Sequence, residues 1–253
     1  MSEIWASLDL TTYELVALTL IVLVAAVVRG FSGFALSALV MAAGATLIPP
    51  IQLIPILWVL EMTASLQMAR GGWQDANRTA ALLLVLGNFI GWPLGLSLTS
   101  ALPVAQSSLI ALLVILVLAL LQLTRLRIPG LDTKPGALAT GVVAGIVSGL
   151  AHVGGMVVAL YVLAQNSAAR SMRGTLVIYL FVGSFGSLLY LLHFGVMTSV
   201  SAIQGLVFAP VTLLGVWLGT KFFNPRLEPY YRPFCLCLLV FLAGLGLIRM
   251  AVS

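Results

Sequence analysis

Charge is scarce in this chain: Asp, Glu, Lys and Arg make up only 8% of its 253 residues, against 61% hydrophobic ones. A soluble globular domain carries roughly 25% charged residues, and the mean hydropathy of +1.16 lies far on the apolar side. That balance excludes a soluble enzyme or a water-facing binding module. Cysteine is equally sparse, with Cys235 and Cys237 one residue apart in an apolar run, which excludes a disulfide framework and fits neither zinc-ligand nor redox spacing. They read as apolar filler. With two histidines in the whole chain, neither a metal site nor a cofactor is expected. The net charge of +5 comes from basic residues scattered singly, and without a basic face no nucleic-acid partner is expected. Residues 1–11 hold Glu3 and Asp9 but neither Lys nor Arg. The basic start of a cleavable signal is missing, so the first apolar run is expected to stay in the protein.

What the chain has instead is long apolar runs, at 12–31, 34–48, 51–69, 79–99, 104–123, 136–151, 153–165, 174–193, 200–222 and 233–251. Their ends fall at Pro49-Pro50, Gly71-Gly72, Pro103, Pro129-Gly130 and Pro225. A spanning helix needs about 20 apolar residues, so the reading is an all-α membrane protein of about ten segments filling 1–253 as one transmembrane domain. The runs 34–48, 136–151 and 153–165 are short for full crossings and point to broken or re-entrant helices.

Alternating crossings with an outside N-terminus place Arg70, Arg78, Arg125, Arg127, Lys134, Arg170, Arg173, Lys221, Arg226 and Arg232 in cytoplasmic loops. Only Arg29 and Arg249 of the 12 basic residues fall outside that pattern, which satisfies the positive-inside rule. A bacterial inner membrane with both termini non-cytoplasmic is the expected setting. Two echoes suggest an internal duplication: Ser32-Gly33-Phe34-Ala35 with Ser148-Gly149-Leu150-Ala151, and Gly91-Trp92-Pro93-Leu94-Gly95 with Gly215-Val216-Trp217-Leu218-Gly219. Repeat one covers about 12–126 and repeat two about 134–251. With five segments each, the copies cross in opposite senses, an architecture of many secondary transporters.

The breaks hold the chemistry. Arg29-Gly30-Phe31-Ser32-Gly33-Phe34 sets a permanent cation, a hydroxyl and the amides of a new helix start in one short stretch, a composition that suits an anion. Arg29 serves either there or as an anchor at the membrane surface. At the second break stand Ser148, Gly149, His152, Gly154 and Gly155, whose glycines permit close backbone approach. His152 is either a proton-coupling group or a histidine bonded to a neighbouring helix. Glu61, the one carboxylate deep in an apolar run, is either the counter-charge of Arg29 or a proton-coupling site. Asn88, Gln52 and Gln204 read as interhelical glue. The expected partners are therefore a small anion, protons if transport is coupled, and the lipid bilayer. The sequence carries no mark of an oligomeric state.

The Arg29 to Phe34 stretch, the pair His152-Val153-Gly154-Gly155 with Leu160-Tyr161, and Arg173-Gly174-Thr175 resemble the TauE/SafE family of sulfite exporters and sulfonate permeases over nearly the whole chain. The resemblance implies a ten-helix plasma-membrane permease for sulfur oxyanions or organosulfonates, with the glycine breaks lining its central site. Members often have a further glycine where this chain has Ala35, and many have prolines where it has Met156-Val157. Two other readings use the same residues. A passive anion channel would exploit the same dipoles without a gate, and Ser32 with His152 echoes the dyad of rhomboid intramembrane proteases.

Overall fold

The computed structural model describes residues 11–124, 131, 133–165, 169–222 and 228–252. Arg125, Arg127 and Arg226 lie outside the described residues, as do Glu3 and Asp9. Ten helices follow one another among the described residues: α1 (Thr12–Ser32), α2 (Leu36–Gly44), α3 (Pro50–Asp75), α4 (Arg78–Ala101), α5 (Val104–Leu123), α6 (Lys134–Ala151), α7 (Gly154–Ala164), α8 (Ala169–His193), α9 (Ser199–Lys221) and α10 (Glu228–Val252).

Eight of them are long and apolar enough to cross a membrane. The exceptions are α2 and α7, with 9 and 11 residues. At 1.5 Å per residue α2 reaches about 14 Å, half of a hydrocarbon core of about 30 Å. The sequence also marks 136–151 as short, and here the structure differs. Thr133 caps α6 by accepting the Gly136 N–H at 3.1 Å, and Pro135 sits in the first turn. Those residues add enough helix to give α6 a spanning length of 18 residues. Polar capping residues before an apolar run are invisible to a count of hydrophobicity alone. In the same way Asn77 caps α4, and Thr11 and Thr198 start α1 and α9 with capping boxes.

Both short helices double back. Gly44 at the end of α2 lies beside Leu18 of α1 and Leu53 of α3, and Gly154 at the start of α7 lies against Ala144 and Ser148 of α6. Each forms a hairpin with the long helix before it.

The tightest packing is made by glycine. Gly87, Gly91 and Gly95 of α4 meet Gly141, Gly145 and Gly149 of α6, so close that a Cβ on Gly95 would stand 1.9 Å from the Ile146 carbonyl oxygen. α1 and α9 meet alike: a Cβ on Gly30 would stand 2.5 Å from the Val216 oxygen, and one on Gly219 would stand 2.0 Å from the Val27 oxygen. Small residues four apart let membrane helices approach backbone to backbone, where dispersion contacts replace the missing hydrophobic drive. Beyond these pairs, α3 packs on α8 and α9, α4 on α8, and α5 on α10.

Polarity is arranged inside out. Leu20, Leu86, Leu94, Leu206, Phe241 and Ile248 are exposed, whereas Arg29, Glu61, Asn88, Thr212 and Gln122 are buried. A soluble protein hides its large aliphatics and exposes its ions; this surface is matched to lipid.

Candidate functional site

Both long helices that precede a short one end on a left-handed residue. Gly33, at φ 82, returns its N–H to the Arg29 carbonyl, and His152, at φ 56, returns its N–H to the Ser148 carbonyl. After the first of these turns the chain needs a second positive φ, at Ala35 (φ 78), before α2 begins. Position 35 is thus a place for glycine occupied by alanine.

At the first break Arg29, Glu61 and Ser32 are all engaged by neighbours. Arg29 is fully buried. Its Nε donates to Glu61 Oε2 at 3.1 Å, its Nη2 donates to Ser65 Oγ at 3.0 Å, and its Nη1 donates to the Gly33 carbonyl. Glu61 Oε1 in turn accepts the Ser37 hydroxyl at 2.7 Å and the Ser37 N–H at 3.3 Å. Ser37 is the second residue of α2, so the carboxylate sits at that helix's positive end. Ser32 closes a local turn, its hydroxyl donating to the Phe34 carbonyl at 2.7 Å. Phe34 is core, and Gly33 is pressed against Arg173, whose Cγ would lie 2.8 Å from an added Cβ.

The second break opens onto a small cavity of about 30 Å³. Glu61, Asn88, Trp92, Ser148, His152, Gly155, Tyr179, Leu180, Gly183, Ser184 and Ser187 line it. A smaller space of about 10 Å³ adjoins it, with Ala35, Ser37 and Ala38 on one side and His152, Val153 and Gly155 on the other. The starts of α2 and α7 therefore face each other.

Of the residues singled out in the sequence, Glu61, Ser148, His152 and Gly155 meet at the cavity wall. Arg29, Ser32, Gly33 and Phe34 do not line it. Gly149 belongs to the α4–α6 contact, since a Cβ there would stand 2.3 Å from the Trp92 oxygen. Gly154 has the same role within its hairpin, where Ser148 Oγ would lie 2.0 Å away. His193, on the exposed end of α8, stacks edge-on with Phe194.

Sequence reasoning missed the wall contributed by α8. Tyr179, Gly183, Ser184 and Ser187 recur at helical spacing on one face, a periodic polar stripe in an otherwise apolar run. Asn88 belongs with them, because the buried Tyr179 hydroxyl donates to its Oδ1 at 2.9 Å. Trp58 ties α3 to the same region by donating from Nε1 to the Ser184 carbonyl at 2.8 Å. Among the described residues no three His, Cys, Asp or Glu side chains come together to hold a metal ion. The arrangement offers neutral donors around a small polar space, with one neutralised carboxylate at its edge.

Neither the curated proteins nor the solved structures contain a match to this chain. The family model described as "Sulfite exporter TauE/SafE" matches residues 18–246, nearly all of the membrane-embedded sequence. The chain belongs to the TauE/SafE family of membrane transporters.

Proposed function

We propose that this protein carries a small sulfur-containing oxyanion, sulfite or an organosulfonate, across a bacterial plasma membrane by alternating access. The observation that carries the reading is the cavity at the second helix break, walled by Asn88, Ser148, His152, Gly155, Tyr179 and Ser184, with an adjoining space that reaches the start of α2. Interrupted helices that meet inside a membrane bundle are the usual form of a carrier's binding site.

The ten helices are read as two inverted repeats, α1–α5 and α6–α10. Supporting this, α1 and α6 end in the same left-handed turn and α2 and α7 form the same hairpin. The α4–α6 contact has its counterpart in α9–α1, while α3 meets α8 and α5 meets α10. Matching the turns pairs Gly33 with His152 and Arg29 with Ser148, three residues out of step with the serine echo in the sequence.

The same contacts favour one division into moving parts. A rigid rocking of one sequence half against the other would tear both glycine contacts, α4 from α6 and α1 from α9. The bodies favoured by the packing exchange a helix: α1–α3 move with α9, and α6–α8 move with α4. Their seam is the α3–α8 contact, and Glu61 is the only cavity-wall residue from the first body. Glu61 and His152 share that wall and are the groups available for proton coupling. Orientation follows the positive-inside pattern. Arg173 donates to the Gly30 carbonyl at 2.5 Å, and Gly174 packs on Asp75 and Ala76. These contacts gather the ends of α1 and α3 and the start of α8 on one side.

The test is flux in proteoliposomes with sulfite and with small alkanesulfonates. A carrier saturates and exchanges labelled for unlabelled anion by counterflow. An ohmic anion current without counterflow would instead mean a channel, and no movement of any sulfur oxyanion would remove the substrate assignment.

A further inference from the structure

The two helix starts that face each other are not electrically alike. At α2 the positive end is already matched by an anion of the protein's own, the Glu61 carboxylate on Ser37. At α7 the corresponding second residue is Gly155, and the side chain of α8 that meets it is Leu180, 3.4 Å from where a glycine Cβ would stand. Leucine offers no acceptor. No side chain caps α7, and among the described residues the Gly154 and Gly155 N–H groups have no partner. The first amides of a helix have no acceptor within it; Gly155 carries its donor at the cavity wall, while Gly154 is packed on Ala144 and Ser148 behind it.

Two further groups converge there. Asn88 is only 5% exposed, and its Oδ1 is engaged by Tyr179 while its Nδ2 lies next to Gly183 without a partner. Nδ1 of His152, on the same wall, is buried and also unpartnered. Buried polar atoms are nearly always hydrogen-bonded, so His152 Nδ1 calls for an explanation, and a guest in the cavity supplies one. Among the described residues no cation joins them: where the first break has Arg29 the second has Ser148, and Arg29 is spent on Glu61, Ser65 and Gly33.

We infer that the carrier has one anion seat, made by the Gly155 amide at the start of α7 with Asn88, and that it takes a singly charged oxyanion in preference to a doubly charged one. The inference rests on the transport reading above. Desolvation rises with the square of the charge, whereas neutral donors answer it only in proportion, and the neighbouring Glu61 adds repulsion. A dianion needs a cation that this seat lacks. Glu61 is the copy of the bound substrate that holds α2, and Leu180 is the substitution that leaves α7 for a guest.

The experiment uses the full chain in nanodiscs with methanesulfonate as the singly charged probe and sulfate as the doubly charged one. Binding is read by calorimetry and transport by flux. Methanesulfonate is expected to bind at least tenfold more tightly than sulfate. Leu180→Glu places a carboxylate on α7 as Glu61 lies on α2; it is expected to abolish methanesulfonate binding while unfolding no earlier than the wild type. Leu180→Gln, uncharged and of similar size, is expected to weaken binding far less. Asn88→Asp supplies a second, nearly isosteric route to the same loss. Equal or tighter binding of sulfate, or wild-type methanesulfonate binding by both Leu180→Glu and Asn88→Asp, overturns the seat while leaving a transporting wild type as a carrier. A wild type that neither binds nor carries sulfite or methanesulfonate overturns the seat and the proposed function together.

Discussion

Arg29 and Glu61, 32 positions apart in the chain, form a buried ion pair with Nε to Oε2 at 3.1 Å, and both side chains are almost wholly withdrawn from the surface. The pair is also the knot that holds the first helix break, since the same two side chains reach Gly33, Ser37 and Ser65. Removing one partner leaves an unpaired charge in a dry interior, which costs about 3–5 kcal/mol. Arg29→Ala and Glu61→Ala are each expected to lower the unfolding temperature of the detergent-solubilised protein sharply. Arg29→Met combined with Glu61→Leu is expected to recover most of the loss. A double variant no more stable than either single one would mean that the pair's hydrogen bonds, not its charge balance, hold the break.

Ala35 carries a left-handed φ of 78 between two helices. Its Cβ is crowded in that conformation by about 1–2 kcal/mol, and glycine removes the crowding at the expense of a looser unfolded chain. Because Ala35 is buried and cannot relax outward, the strain term is the larger. Ala35→Gly is expected to raise stability by up to about 1 kcal/mol, read as a higher unfolding temperature. A clear fall in that temperature would show that the methyl group is needed as packing in the α1–α2 hairpin.

Much of this was legible in the sequence, for reasons that can be named. Apolar runs and their Gly and Pro ends marked the helices, because in lipid every backbone amide must be satisfied within its own segment. The oddness of Glu61 in an apolar run called for a partner, and Arg29 was the one other charge at depth. The cavity wall was harder to see. Tyr179, Ser184 and Asn88 are ordinary helix residues, and only the crossing of α4 with α8 turns them inward together. Arg29 was harder still: its chemistry suits an anion, and the sequence leaves open whether that anion is a guest or Glu61, which together with the Gly33 carbonyl engages its donors in the fold. The likeness of the two turns is one of backbone that side-chain identity does not display, since the left-handed residue is glycine at position 33 but histidine at 152.

The glycine contacts separate two effects of the same substitution. Gly95→Ala drives a methyl group to 1.9 Å from the Ile146 carbonyl oxygen, a backbone atom that cannot step aside. Moving α4 off α6 is the only relief. Gly244, on α10, has nothing within 4 Å of an added Cβ, so Gly244→Ala meets only the helix propensity term of about 1 kcal/mol in favour of alanine. Gly95→Ala is therefore expected to lose several kcal/mol or fail to assemble, while Gly244→Ala holds or gains stability. Thermal unfolding and size-exclusion profiles of the two variants check the contrast. Equal behaviour would mean that the α4–α6 approach is looser than drawn.

The seam proposed between two moving bodies can be tested by closing it chemically. At the α3–α8 contact, a Cβ on Gly72 would stand 3.0 Å from the Val177 Cβ, near the roughly 3.5–4.5 Å of a disulfide. A small shift of either helix brings the pair into range. In a background with Cys235 and Cys237 replaced by Ser, the double variant Gly72→Cys with Val177→Cys is expected to carry anion when reduced. On oxidation, flux should fall at least about tenfold, because a covalent tie leaves one conformation and alternating access needs two. Reductant should restore it. The decisive comparison is anion binding, which should survive in the oxidised form even as flux stops, since the wall formed by Asn88, Ser148 and Gly155 lies within one body. Undiminished flux through the oxidised protein would place the moving seam elsewhere than between α3 and α8. Loss of binding together with flux would mean that the tie had deformed the wall itself, and that the two bodies do not move as rigid units.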